Sequence, residues 1–266
     1  MKIERIYAVY FSPTHGTQKY VEGIARRLGE TFAVIDLTRP ENRKKEYQFT
    51  DRDLVLAGAP VYAGRLPRVP EELFTNLRGD HTPCVCMVSY GNRDYDDALL
   101  EEKELLESRG FAGIGAAAWI APHTFSDRIA KGRPDSEDEK KMDQFAGMLK
   151  KLLEEADWQN FSKTLRVKGN HPYKAVKSQS FFPAAGEGCT GCGTCASVCP
   201  VGAIDPAHPR DEDTALCIDC FACVKNCSAH ARNAGGPAYE ALVDRLEKGM
   251  GLTELRREPE FMTAEE

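Results

Sequence analysis

Eight of the ten cysteines fall into two runs of one spacing. Cys189, Cys192, Cys195 and Cys199 read C-x2-C-x2-C-x3-C, followed by Pro200. Cys217, Cys220, Cys223 and Cys227 repeat the pattern 28 residues later, followed by Ser228. Four thiolates on the corners of an iron–sulfur cube need such a pattern. Three cysteines two residues apart wrap three corners, and the fourth of each run is directed to the other cluster. The repeat therefore predicts two 4Fe–4S clusters with crossed ligands. Cys189, Cys192, Cys195 and Cys227 would hold one, and Cys217, Cys220, Cys223 and Cys199 the other. Structural zinc uses separated C-x2-C pairs and has no use for the third cysteine. A disulfide framework suits a short secreted chain, whereas Met1-Lys2-Ile3-Glu4-Arg5 runs straight into a strand pattern. Cys84 and Cys86 lie two apart in the apolar run Pro83 to Ser89 and read as buried strand residues on one face.

Over residues 186 to 230 this pattern resembles the two-cluster bacterial ferredoxins. A proline usually follows both fourth cysteines there; Ser228 replaces the second. Proline is no ligand, so the difference bears on the local turn alone.

Upstream, strand and helix patterns alternate. Apolar strands are read at Ile3 to Phe11, Phe32 to Leu37, Asp53 to Ala59, Thr82 to Tyr90 and Ala112 to Ala121. A helix over Thr17 to Gly29 places Tyr20, Val21, Ile24, Ala25 and Leu28 on one face. A short helix is expected at Pro70. Another runs from Asp96-Asp97 to Gly110, and the last opens on a capping box, Ser136-x-x-Glu139, burying Met142, Phe145, Leu149, Leu152 and Leu153. Five strands separated by helices imply an α/β fold with a doubly wound parallel sheet. The count favours the flavodoxin-like order 2-1-3-4-5, followed by a small α+β ferredoxin domain. The divisions are 1–156 for the sheet domain, 157–185 for an ordered arm anchored by Trp158, Phe161, Tyr173, Phe181 and Phe182, 186–232 for the cysteine domain, and 233–266 for a helix (Tyr239 to Lys248) and a frayed tail.

Ligands of such sheets bind outside the carboxyl ends of the strands. The first loop there, Ser12-Pro13-Thr14-His15-Gly16-Thr17, carries three hydroxyls and opens into a helix whose amide groups and dipole favour a phosphate. It lacks the lysine of a P-loop. It resembles the FMN-phosphate loop of flavodoxins, [ST]-x-T-G-x-T, with His15 where those proteins have glycine; the glycine requirement is read as shifted to Gly16. The loop from Pro60, Val61 and Tyr62 to Pro67 and the loop Ser89, Tyr90, Gly91 to Tyr95 match the two flavin-flanking loops in position. Tyr62, with Tyr90 or Tyr95, would supply ring faces. Each of these tyrosines could equally cap the core. His123, after the fifth strand, is read first as a solvent-facing loop residue; its alternative is to meet substrate or to protonate a reduced flavin.

The order of the parts resembles the flavodoxin–ferredoxin fusion proteins of anaerobic bacteria, carried by Pro60 to Pro67, Tyr90 to Leu99 and the cysteine runs. The resemblance implies two 4Fe–4S clusters, FMN and electron transfer. The alternatives are a flavin-dependent reductase of a small organic substrate, fed by its own clusters, and a cluster-based redox regulator. No G-x-G-x-x-G follows a strand, which speaks against a dedicated nicotinamide site. The net charge of −6 speaks against a nucleic-acid surface. Arg43-Lys44-Lys45 reads as a solvated loop, and no apolar run approaches a membrane span. Thiolate clusters suit a cytoplasmic, reducing setting. The acidic loop Asp211-Glu212-Asp213 suggests a redox partner protein with a basic docking face.

Overall fold

The computed structural model describes residues 3–155, 163–176 and 180–265. Its main sheet is built from β1 (Arg5–Tyr10), β2 (Ala33–Asp36), β4 (Asp53–Pro60), β6 (Thr82–Tyr90), β7 (Phe111–Ile120) and β10 (Glu260–Thr263). The spatial order is β2-β1-β4-β6-β7-β10. The first five pair in parallel, in the expected order. β4 and β6 are buried on both faces, which is why they read as unbroken apolar runs.

The sixth strand corrects the reading of the carboxyl terminus. Residues 260–263 are not frayed: they pair antiparallel with β7, Phe261 opposite Ala117. The preceding helix is α7 (Pro237–Asp244), continued by a π turn at Arg245–Gly249. β3 (Tyr47–Phe49) and β5 (Leu77–Gly79) form a separate parallel pair.

Helices α1 (Gly16–Leu28) and α4 (Ser136–Glu155) cover one face of the sheet, through Val21, Ile24, Met142, Phe145 and Leu149. Asp135 Oδ1 accepts the amides of Glu137 and Asp138, so the α4 cap falls one residue before Ser136. α3 (Ala98–Ser108) covers the other face. No helix forms at Pro70, because Phe74 is left-handed (φ 65°) and turns its ring into the core. Arg43 ends a short helix, α2 (Pro40–Arg43), and is buried, not solvated.

The cysteine region packs on the α3 face: Val201, Ala203, Cys199, Cys217 and Ile218 join the core cluster there. It is held by a two-stranded antiparallel pair, β8 (Ala184–Ala185) with β9 (Arg232–Asn233), and two one-turn helices, α5 (Thr194–Ser197) and α6 (Ala222–Lys225). The arm crosses α3, its Asn170 and Lys174 amides donating to Asp97. Phe181 is buried. Trp158 and Phe161 lie outside the described residues. Among the described residues no helix is long and apolar enough to cross a membrane.

Candidate functional site

The two cysteine runs fold as two copies of one loop-and-turn unit. In the first, Gly191, Gly193 and Gly202 take left-handed φ of 71°, 77° and 67°. In the second, the matching positions are Asp219, Phe221 and His230, with φ of 54°, 57° and 49°. The same backbone path is thus kept where glycine is absent, at a cost of roughly 1–3 kcal/mol per residue. The symmetry extends to the thiols. The Ala203 amide donates to Cys199 Sγ at 3.2 Å, and the Ala231 amide to Cys227 Sγ at 3.3 Å.

Two cavities result. One is lined by Cys189, Cys192, Cys195 and Cys227. The other is lined by Cys199, Cys217, Cys220 and Cys223. The chain therefore brings the cysteines together in the crossed sets. Among the described residues, no three His, Cys, Asp or Glu side chains converge closely enough for a single metal ion. Each set of thiols is instead spread around a void.

The cavities differ in setting. Cys192 is exposed and Cys220 buried. Hydrogen bonds from Thr194 draw the Cys192 thiol down from its usual range. Burial pushes the Cys217 thiol up to about 11 and Cys223 to about 12. Burial also raises the Tyr62 phenol well above its usual value, and the neighbouring Cys220, Asp219 and Cys217 disfavour its ionisation further. Tyr62 is positioned by a tight turn: it and Arg65 exchange backbone hydrogen bonds of 2.9 and 3.1 Å across Ala63 (φ 52°) and Gly64 (φ 91°). A Cβ on Gly64 would lie 2.2 Å from Asp96. Arg65 fastens the turn to Glu101 of α3 at 2.7 and 2.8 Å.

The first sheet-edge loop keeps its donors at the start of α1. His15, not Gly16, holds the left-handed position (φ 63°), so the glycine requirement has not moved; histidine tolerates this region better than most residues. Gly16 is needed for close packing, since a Cβ there would lie 3.1 Å from Ala121. Ser12 Oγ accepts the Gln18 amide at 3.0 Å, and the Ser12 amide donates to Thr38 Oγ1 at 2.7 Å. Thr14 is half-buried at the loop's rim. Thr17 Oγ1 and Ser89 Oγ share a 2.7 Å hydrogen bond, tying this loop to the end of β6. Thr38 carried no signal in the sequence; only the turn after β2 brings it here.

Tyr90 and Tyr95 are corrected. They are 4% and 1% exposed, pack on each other 5.6 Å apart, and offer no face to a flavin. Tyr95 donates to Glu260 at 2.6 Å, so the terminal strand holds it inward. His123 is also corrected: it is half-buried, not solvent-facing. Its Nδ1 accepts the Phe125 amide at 3.1 Å. Burial, then Lys225 and Arg93, lowers its pKa to about 4, so the imidazole is neutral with its proton on Nε2. It lies over Gly91, where a Cβ would be 2.4 Å from its ring. Phe125 continues from His123 to Phe221 at 4.9 Å between ring centres. An aromatic bridge thus joins the sheet edge to the residue after Cys220. Pro60 and Val61 are half-buried.

The 4Fe-4S binding domain model matches residues 187–205, the first cysteine run. Among curated proteins none matches. Solved structures similar to the chain include a flavodoxin from the domain Archaea, at 13% identity over 57% of this chain and 99% of that one, TM-score 0.41. A Streptococcus pneumoniae TIGR4 flavodoxin matches at 15% identity over 55% and 97%, TM-score 0.39. The rubredoxin oxygen:oxidoreductase of Desulfovibrio gigas matches at 16% identity over 57% and 37%, TM-score 0.36. At these scores the topology above, not the likeness, carries the fold. The chain joins a flavodoxin-like doubly wound sheet to a ferredoxin-type 4Fe–4S domain in one polypeptide, the architecture of a flavodoxin–ferredoxin fusion.

Proposed function

We propose that this protein is an electron-transfer carrier holding FMN at the carboxyl edge of its sheet and two 4Fe–4S clusters in the two thiol-lined cavities. The observation that carries the reading is the nesting of the inner cavity, with Cys199, Cys217, Cys220 and Cys223, against the core that also bears Val61. When bound, a flavin exchanges one or two electrons and a cubane one, so a chain holding both converts between the two kinds of transfer.

The chain's own residues then divide the work. The helix start at Gly16 and Thr17, with the Ser12 and Thr14 hydroxyls, binds the phosphate. Pro60, Val61 and Tyr62 form one wall of the ring site. Gly91 presents the other wall as bare backbone, with the His123 ring filling the space of a side chain there, and His123 holds a neutral N–H at that edge. Cys192 exposes the outer set to a partner, while Phe221 and Phe125 keep water from the inner set. Asp211 and Asp213 are exposed on the loop that leads into Cys217 of the inner set, whose amide donates to the Asp213 carbonyl, and they suit a basic partner surface. Glu212 is turned inward to Arg232 and takes no part in that surface.

Anaerobic purification with assays of iron, sulfide and flavin tests this reading. About eight iron and eight sulfide per chain, four per cubane, with one FMN are expected. Clusters without flavin would remove the carrier role of the sheet domain. About four iron per chain would remove one cluster.

A further inference from the structure

Aligning the two cysteine runs places Ile204 of the first opposite Arg232 of the second, each five residues beyond its fourth cysteine. Ile204 is buried and lines the inner cavity alone. Arg232 is 2% exposed and lines both cavities. Its guanidinium donates to the carbonyls of Pro183 and Pro209, each at 2.8 Å, and to Glu212 Oε2 at 3.0 Å. It lies within electrostatic reach of Cys195 from one set and Cys223 from the other. The chain has therefore put a full charge where its own internal repeat uses an aliphatic side chain.

A buried cation is costly unless paired and hydrogen-bonded. One carboxylate, Glu212, offsets it, and the thiolates of both cavities supply further negative charge. We propose that Arg232 is a positioning residue shared by the two clusters, raising both reduction potentials together, with Glu212 as the counter-charge that limits the rise. Adding one electron to a cluster makes it more negative, so a fixed cation between the two favours the reduced form of each. This rests on the two-cluster reading above.

The full chain, purified without oxygen, is first assayed for iron; about eight per chain is the two-cluster reading, and about four sinks that reading irrespective of Arg232. Redox titrations followed by electron paramagnetic resonance then compare the protein with Arg232→Gln, Arg232→Lys and Glu212→Gln. Arg232→Gln is expected to lower both midpoints by about tenfold in the one-electron equilibrium, roughly 59 mV. Glu212→Gln should raise both, and Arg232→Lys should leave both near their starting values. A shift of one midpoint only, or shifts of the same sign in Arg232→Gln and Glu212→Gln, overturns the proposal. Should Arg232→Gln lose iron, Glu212→Gln decides alone: it keeps the arginine, and midpoints that stay or fall refute the shared charge. A merely structural arginine would change stability in Arg232→Gln and leave both of that variant's midpoints where they were.

Discussion

The guanidinium of Arg43 donates a 2.6 Å hydrogen bond to the carbonyl of Pro200, across 157 residues of sequence. The same group donates to the carbonyl of Leu37 at 2.8 Å, joining the turn after β2 to the end of the first cysteine run. Arg43→Met keeps the aliphatic stem but leaves these carbonyls unpaired. A loss of about 2–4 kcal/mol is expected in anaerobic urea unfolding, with earlier proteolytic release of the cysteine region. Unchanged unfolding would mean the bond holds nothing together.

Gly91 is closed to any side chain by His123. Gly91→Ala should cost about 1–3 kcal/mol and weaken FMN retention, as the loop after β6 is pushed outward. Adding His123→Gly removes the ring that a Cβ meets and should recover much of the loss. Failure of the double variant to recover would place the clash elsewhere.

His15 sits at φ 63°, where a β-branched side chain is strained. His15→Val is expected to be about 1–2 kcal/mol less stable than His15→Gly, and to bind FMN more weakly, since the phosphate loop must deform. Equal melting temperatures of the two variants would contradict this assignment.

His123 gives a pH dependence of defined sign. Its folded pKa is lowered to about 4, below the ordinary value near 6.5. Above about pH 6.5 the imidazole is neutral in both states, and its contribution to stability is fully present. As pH falls towards 4, the unfolded chain takes up a proton that the folded chain refuses, so stability is lost across that window. At pH 5 the loss relative to His123→Gln should be about 1–2 kcal/mol in parallel unfolding curves. Curves that keep a constant separation from pH 7.5 to pH 5 would exclude a buried neutral imidazole.

Asp211 and Asp213 predict salt-sensitive encounters. Transfer to a basic partner should slow several-fold as ionic strength rises through the range where the screening length shortens from about 30 to 8 Å. Asp211→Asn with Asp213→Asn should flatten that dependence. Rates indifferent to salt in the unaltered protein would remove the acidic face from docking.

The grouping of the cysteines around two cavities was legible in the sequence because two runs of one spacing fold as two copies of one loop, whatever surrounds them. The parallel order was legible for a similar reason: crossover helices leave few topologies. Tyr90 and Tyr95 misled because the fate of a strand-end ring depends on what is laid over it, here Glu260 from the far end of the chain. Asn92 belongs to the same blind spot; it is buried and donates to the carbonyls of Leu252 and Leu255 at 3.0 and 2.6 Å, contacts with no local signature. Arg232 is different. Its mismatch with Ile204 was present in the repeat, but its meaning required seeing that one side chain borders both cavities.

The terminal strand changes what kind of object the cysteine region is. β10 follows both runs in the chain and yet completes the amino-terminal sheet beside β7. The cysteine region is thus an insertion stitched at both ends to one body, not a pendant on a leash. Its reach towards the sheet edge cannot be lengthened by swinging. During synthesis the sheet stands one strand short until both cysteine runs have been made, so its edge beside β7 is covered last.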